Sequence, residues 1–272
     1  MNIFEIVLIA PIVNALMLFY KLFSLIGLPG TLGFSIIAVT SLARVAINPF
    51  MKKQIEQSAK MQELQPKIAK LQQKYKKEPM KLQQAQMELY KEYKINPGSG
   101  CLIFLIQMPL FIGLYNALIK VVSNSGEIAN LKNINNMLYS PFLKTEGLNL
   151  SFLGLNLTKT PAEWQSLGWW YLLVPVITAG LQLLQAYLSG KSMQPVKKTE
   201  LVKKEAPKKS SDSSDPMAMQ QMMQKQMLFI FPLMIGWISF SFPIGLALYW
   251  NVFNLFGIWQ YYQQNKAKVL SK

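Results

Sequence analysis

The sequence predicts an all-α polytopic membrane protein, and three observations carry that prediction. Apolar runs near 20 residues recur along the 272-residue chain, each about the length a helix needs to cross a bilayer core. Lysine-rich polar segments separate those runs. Only 15% of residues are charged, against roughly a quarter in soluble domains. The expected architecture is a core of five transmembrane helices, a cytoplasmic helical hairpin and an N-terminal interfacial helix.

The N-terminal unit, residues 1–29, is apolar over 3–28 but interrupted by Pro11, Asn14 and Lys21. It reads either as a first span or as a helix lying in the membrane interface. The sequence GLPGTLG that follows is a turn, and no strand precedes it to form a dinucleotide loop. Residues 30–265 form the core. Its spans fall at about 31–50, 101–121, 167–189, 227–242 and 244–262. The fourth is short for a core about 30 Å thick, which implies local thinning of the bilayer or a polar flank within the hydrocarbon zone.

Segment 51–96 is too polar to span and too periodic to be coil. Leu64, Ile68, Leu71 and Tyr75 share one helical face, and Leu82, Gln86, Leu89 and Tyr93 share a second. KKEP at 76–79 breaks the helix between them, because proline disfavours helix at the residue before it. The result is a helical hairpin, with Pro66 expected to interrupt and kink its first arm. Segment 122–166 is a loop on the opposite side. Residues 190–224 are rich in Lys, Ser and Pro and are expected to be disordered. A short basic tail, 266–272, ends the chain.

Lysine placement orients these elements. Residues 51–95 carry eleven lysines and 190–226 carry eight, whereas 122–166 carry three. The positive-inside rule places the lysine-rich segments and the C-terminus in the cytoplasm and 122–166 outside. The net charge of +15 therefore reads as topology and attraction to anionic lipids, with no specific nucleic acid as partner.

Composition also removes chemistries. Histidine is absent, which excludes Ser-His-Asp and Cys-His catalysis and HExxH zinc sites together. The lone cysteine, Cys101, offers no intrachain disulfide and reads as a small apolar residue. Gly190-Lys191-Ser192 ends like a phosphate loop, but Gln185 stands where that loop needs glycine. No enzymatic activity and no cofactor are expected.

Among the 28 basic residues there is one arginine, Arg44, in the middle of the first core span. A charge there costs about 2.5–3.5 kcal/mol on insertion scales. No core span contains Asp or Glu to offset it. Thr40, Arg44 and Asn48 lie at i, i+4, i+8 on one face. Thr178, Gln182 and Gln185 form a comparable set in the third span, Asn251 and Asn254 in the last, and Gln107 lies in the second. Interhelical hydrogen bonding accounts for the neutral residues. Arg44 calls either for snorkelling toward the cytoplasmic edge near Lys52 or for a water-filled cavity shared by the polar faces.

Four stretches then fix a family resemblance: TLGFSIIAVTSLARVAINPFMKKQ, the hairpin running into CLIFLIQMPLFIGLYNAL, WWYLLVPVITAGLQLLQ, and FIFPLMIGWISFSFPIGLALYWNVFNLFGIWQ. In order and spacing they closely resemble the YidC/Oxa/Alb family of membrane protein insertases, over about residues 3–264. The resemblance implies an insertase and chaperone with a hydrophilic groove open to the cytoplasm and the lipid and closed outside. The groove would be built from Arg44, Thr40, Asn48, Gln107, Gln182, Gln185, Asn251 and Asn254. Arg44 would attract polar or acidic parts of a client. Clients would leave past Met108 and Pro109 in the second span and Tyr249 and Trp250 in the last.

Implied partners are nascent membrane protein clients and, for larger clients, the Sec translocon. A ribosome is a further family partner, although NKAKVLSK after Gln264 is short for a ribosome-binding extension. The implied location is the bacterial plasma membrane, multi-pass, with the C-terminus cytoplasmic. No lipobox or cleavable signal is read before residue 3 and no large extracytoplasmic domain is read, so the N-terminal segment is expected to be the family's outer-surface helix or an uncleaved anchor. The rival reading is an anion-selective channel or transporter with Arg44 as a filter charge.

Overall fold

In the computed structural model, the residues described are 3, 5–75, 78–96, 108–109, 111–117, 119, 134–192, 230 and 232–270. They are mostly helical, as the fold class predicts. Cys101, Gln107 and most of the 190–224 loop lie outside them, as do parts of the expected second and fourth spans.

A π-helical turn, Glu5–Ile9, leads into α1, Ala10–Leu25. The helix ends at Gly27 (φ +68°), whose N–H bonds to the Ser24 carbonyl while that of Leu28 reaches back to Phe23. This closure needs a left-handed residue, which glycine adopts without steric cost. Gly30 (φ +75°) then precedes α2, Thr31–Lys74.

α2 is one helix of 44 residues. The expected first span and the first arm of the hairpin are therefore continuous. Pro49 and Pro66 lie inside it, so the Pro66 interruption expected from the sequence is not a helix end. Each proline removes one backbone bond, leaving the carbonyls of Val45 and Gln62 without their helical donors. α2 ends at Lys74 and α3 runs Pro79–Glu92, so the expected break falls between them. Leu64 and Ile68 bury against Ile95, with Leu89 and Tyr90 packed beside them. Tyr93 is instead exposed; its hydroxyl accepts a hydrogen bond from Lys67, whose ammonium also sits 4.3 Å from the ring centroid.

The loop between the second and third expected spans holds the one departure from an all-α chain among the described residues. Strands β1 (Ser151–Phe152) and β2 (Leu155–Asn156) pair antiparallel through Leu153 and Gly154, both at positive φ. Two such residues make the turn type that matches the twist of a tight hairpin. The hairpin seats the Phe152 ring on Gly33, where an added Cβ would stand 2.1 Å from it, and edge-on to Phe34. Short helical turns then lead to α4, Leu173–Ser192; the last helix, α5, is Ile244–Leu270.

Three stretches, Glu5–Leu25, Thr31–Met51 and Trp169–Ser189, are long and apolar enough to cross a membrane. The main core gathers Val13 and Leu16 of α1, Leu32 and Ile36 of α2, and Leu246 and Tyr249 of α5. α1 packs on α2, and α5 packs on both α2 and α4. That placement makes α5 the common wall between two helices that carry polar faces.

Candidate functional site

Helical spacing aligns Thr40, Arg44 and Asn48 on α2, and this face meets α5. Arg44 is 3% exposed. Its Nη2 donates to the backbone carbonyl of Phe253 at 2.5 Å, and its guanidinium carbon lies 3.3 Å from the centroid of the Phe253 ring. None of the ion pairs among the described residues includes Arg44. Its local offset is thus a carbonyl dipole and a π face, both neutral. One turn further along, Asn48 Oδ1 accepts from Gln260 Nε2 at 3.2 Å.

The opposite side of α5 meets α4. Gln182 Oε1 accepts from the Trp250 indole at 2.8 Å. Gln185 lies over Gly257, where an added Cβ would stand 2.6 Å from its amide nitrogen. Asn251, Asn254, Gly257 and Gln260 recur every third residue, a ridge that drifts slowly around the helix and reaches both neighbours.

Several buried polar atoms in this seam have no hydrogen-bond partner among the described residues: Arg44 Nε, Gln185 Oε1, Asn251 Oδ1 and both amide atoms of Asn254. Such atoms are rare in protein interiors, since each costs about 1–3 kcal/mol when left unsatisfied. The donors and acceptors present suit water or a polar peptide segment. By contrast, Thr40 and Thr178 are locally satisfied, each hydroxyl donating to the carbonyl four residues before it.

The structure therefore brings Arg44 and Asn48 of α2 against Phe253 and Gln260 of α5, and Gln182 and Gln185 of α4 against Trp250 and Gly257 of the same helix. The expected exit residues differ in exposure. Pro109 is exposed and Met108 partly buried. Tyr249 is 1% exposed, packed against Phe111 and Phe253, and Trp250 is held by Gln182. Phe253 and Gln260 are members of the site that the sequence reading missed. Gln260 could have been found by extending the every-third-residue series from Asn251. No sequence signal marks a backbone carbonyl and a ring face as the partners of an arginine.

Residues 22–271 match the family model described as 60Kd inner membrane protein. The chain belongs to that family. Its curated relatives include the inner membrane ALBINO3-like protein 2, chloroplastic, of Chlamydomonas reinhardtii, 37% identical over 84% of this chain and 48% of that protein. The membrane protein insertase YidC of Oceanobacillus iheyensis is 32% identical over 88% of this chain and 77% of its own length. The insertase of the same name from Neisseria gonorrhoeae is 30% identical over 92% of this chain and 36% of its own length. This member of the 60Kd inner membrane protein family thus spans about half or less of two of these relatives and about three quarters of the third. The YidC/Oxa/Alb resemblance read from the four sequence stretches is borne out, and this family member is a membrane protein.

Proposed function

We propose that the chain is a membrane protein insertase and chaperone that lowers the cost of moving polar client segments into the bilayer. The observation that carries this reading is the polar seam around α5: a buried arginine paired with neutral groups, beside amide atoms without partners among the described residues. A passing client segment would satisfy those atoms and supply the counter-charge. The hydrocarbon path crossed by its polar part would shorten accordingly. The names of the relatives, membrane protein insertase among them, support the same role.

The proposed arrangement is a five-span core with the seam as a groove reached from the cytoplasm and from lipid. Thr40, Arg44, Asn48, Gln107, Gln182, Gln185, Asn251 and Asn254 would line it, and Met108, Pro109, Tyr249 and Trp250 would lie on the exit path. Tyr249 and Trp250 would have to move to meet a client. The hairpin α2–α3 would receive clients on the cytoplasmic side. The protein would act alone on short clients and with the Sec translocon on larger ones, in a bacterial plasma membrane whose anionic lipids meet the lysine-rich segments. Ribosome contact through the short tail would be weak.

Reconstitution tests the reading directly. Purified protein in liposomes should insert a short single-span client with an acidic tail, scored by protease protection of that tail. Anion flux without insertion would replace the insertase reading with the channel that Arg44 could also serve.

A further inference from the structure

A buried cation with neutral partners is selective by construction, because the incoming group must do better than those partners. Arg44 presents five N–H donors in a planar fork. Phe253 occupies two of its faces at once, the backbone carbonyl taking Nη2 and the ring covering the guanidinium plane at 3.3 Å. Nε has no partner among the described residues. A carboxylate offers a charge-assisted, bidentate contact, stronger than a bond to a neutral carbonyl. A neutral polar tail offers no such advantage.

We propose that Phe253 is a specificity-determining residue of the insertase: it holds Arg44 in the unloaded chain, and a client segment engages Arg44 only if its carboxylate displaces the Phe253 ring. The proposal rests on the insertase reading and adds a gatekeeper to it. Phe253 acts through Arg44 and is a positioning residue. Its ring is itself placed, since Tyr249 one turn earlier on α5 packs against Phe253 at 6.1 Å between centroids. The ring is held over the guanidinium by neighbours that would resist, but not forbid, its rotation.

Because the chain has one arginine, an arginine-selective reagent reports on this contact alone. Phenylglyoxal modification of Arg44, followed by mass spectrometry on protein in liposomes, is the first readout. Phe253→Leu keeps the carbonyl and the apolar bulk but removes the π face. It should speed modification by about five- to thirtyfold, the range expected for losing a cation–π contact at a desolvated site. Phe253→Tyr should restore the wild-type rate. Phe253→Met, close in volume and unbranched, serves if Phe253→Leu does not reconstitute.

Insertion is the second readout. Phe253→Leu should raise insertion of a client with one acidic tail residue by a similar factor, narrowing its gap to a client with several. In an Arg44→Ala background the same substitution should change nothing. An unchanged modification rate, or an equal effect of Phe253→Leu in both backgrounds, would overturn the gatekeeper while leaving the insertase reading intact. Failure of the wild-type protein to insert any client would overturn the insertase reading and the gatekeeper with it.

Discussion

At the scale of single residues, the spacing Thr40–Arg44–Asn48 was legible because helical periodicity alone puts them on one face, and the absence of acidic residues from the spans was legible by inspection. What the sequence could not disclose was that the arginine is covered by Phe253. A carbonyl has no residue-specific signature, and which ring lies over a cation is decided by how α5 is rotated against α2. The chemistry of that pair sets an order for substitutions. For acidic-tailed clients Arg44→Lys keeps the charge but loses the fork and most of the stacking, whereas Arg44→Ala loses everything. Arg44→Ala should reduce insertion of such clients by about ten- to a hundredfold, the range for a charge-assisted hydrogen bond, and Arg44→Lys by less than about tenfold. Insertion assays across clients with zero to three acidic residues check this. Equal insertion by all three proteins throughout the series would remove the charge from the mechanism.

At the scale of elements, the hairpin was legible from two apolar faces and a KKEP break, yet its closing contact was not. Ile95 completes the cluster with Leu64 and Ile68 because the chain turns back after α3, with Ile95 N–H bonding to the Tyr90 carbonyl, and no periodicity reaches past a helix end. Burial there pushes the Tyr90 phenol above its ordinary pKa. α2 continues through Pro66 because one missing backbone bond does not end a helix whose next turn, at Ile68, is buried against another element. α1 is held by Asn14, which is 6% exposed; its amide donates to Ala10 at 2.8 Å and Met137 at 2.9 Å and accepts from the Tyr139 N–H at 2.7 Å. Asn14→Leu would strand the Met137 and Tyr139 groups and should cost about 2–4 kcal/mol of local stability. Faster amide exchange at 137–139, with the α2–α3 hairpin unaffected, is the expected signature. Before α4, Glu163 accepts from the Thr160 backbone N–H at 3.1 Å and pairs with Lys159 at 2.9 Å. The Lys159 bond first, then that backbone bond, hold its carboxyl below the usual range. A depressed pKa means the contribution is complete above the unfolded value, about 4.3, and is lost as pH falls through the lower folded value. The pair is more than a third exposed, so screening limits it to under about 1 kcal/mol. Glu163→Gln should flatten the acid dependence of amide exchange at 160–163 and leave neutral-pH exchange nearly unchanged.

At the scale of the whole molecule, the open question is whether residues 5–25 cross the membrane, since by length and composition they could. Contacts argue otherwise. Asn14, near the middle of this stretch, binds the backbone at Met137 and Tyr139, and Tyr20, near its end, accepts from the Asn149 N–H at 2.8 Å. Both partners lie in the segment that lysine placement assigns to the outside. At about 1.5 Å of rise per residue the two contact points lie about 9 Å apart along the axis, and a helix lying along the outer surface brings both to it at one depth. Its outward residues fit that posture: Ile6, Val7, Leu18, Leu22 and Leu25 are exposed and apolar, a face suited to the interface of the bilayer. A helix in that posture would cap the outer end of α2, on which it packs, and would help keep polar clients from leaking through to the outside. Single cysteines in a Cys101→Ser background decide the matter. Ile3→Cys and Ile26→Cys, 81% and 72% exposed, flank the helix. If α1 lies on the outer surface, a membrane-impermeant maleimide added outside should label both, together with Leu153→Cys on the β-turn and not Lys53→Cys on α2. Labelling of Ile26→Cys with protection of Ile3→Cys would make α1 a sixth span and place the N-terminus in the cytoplasm.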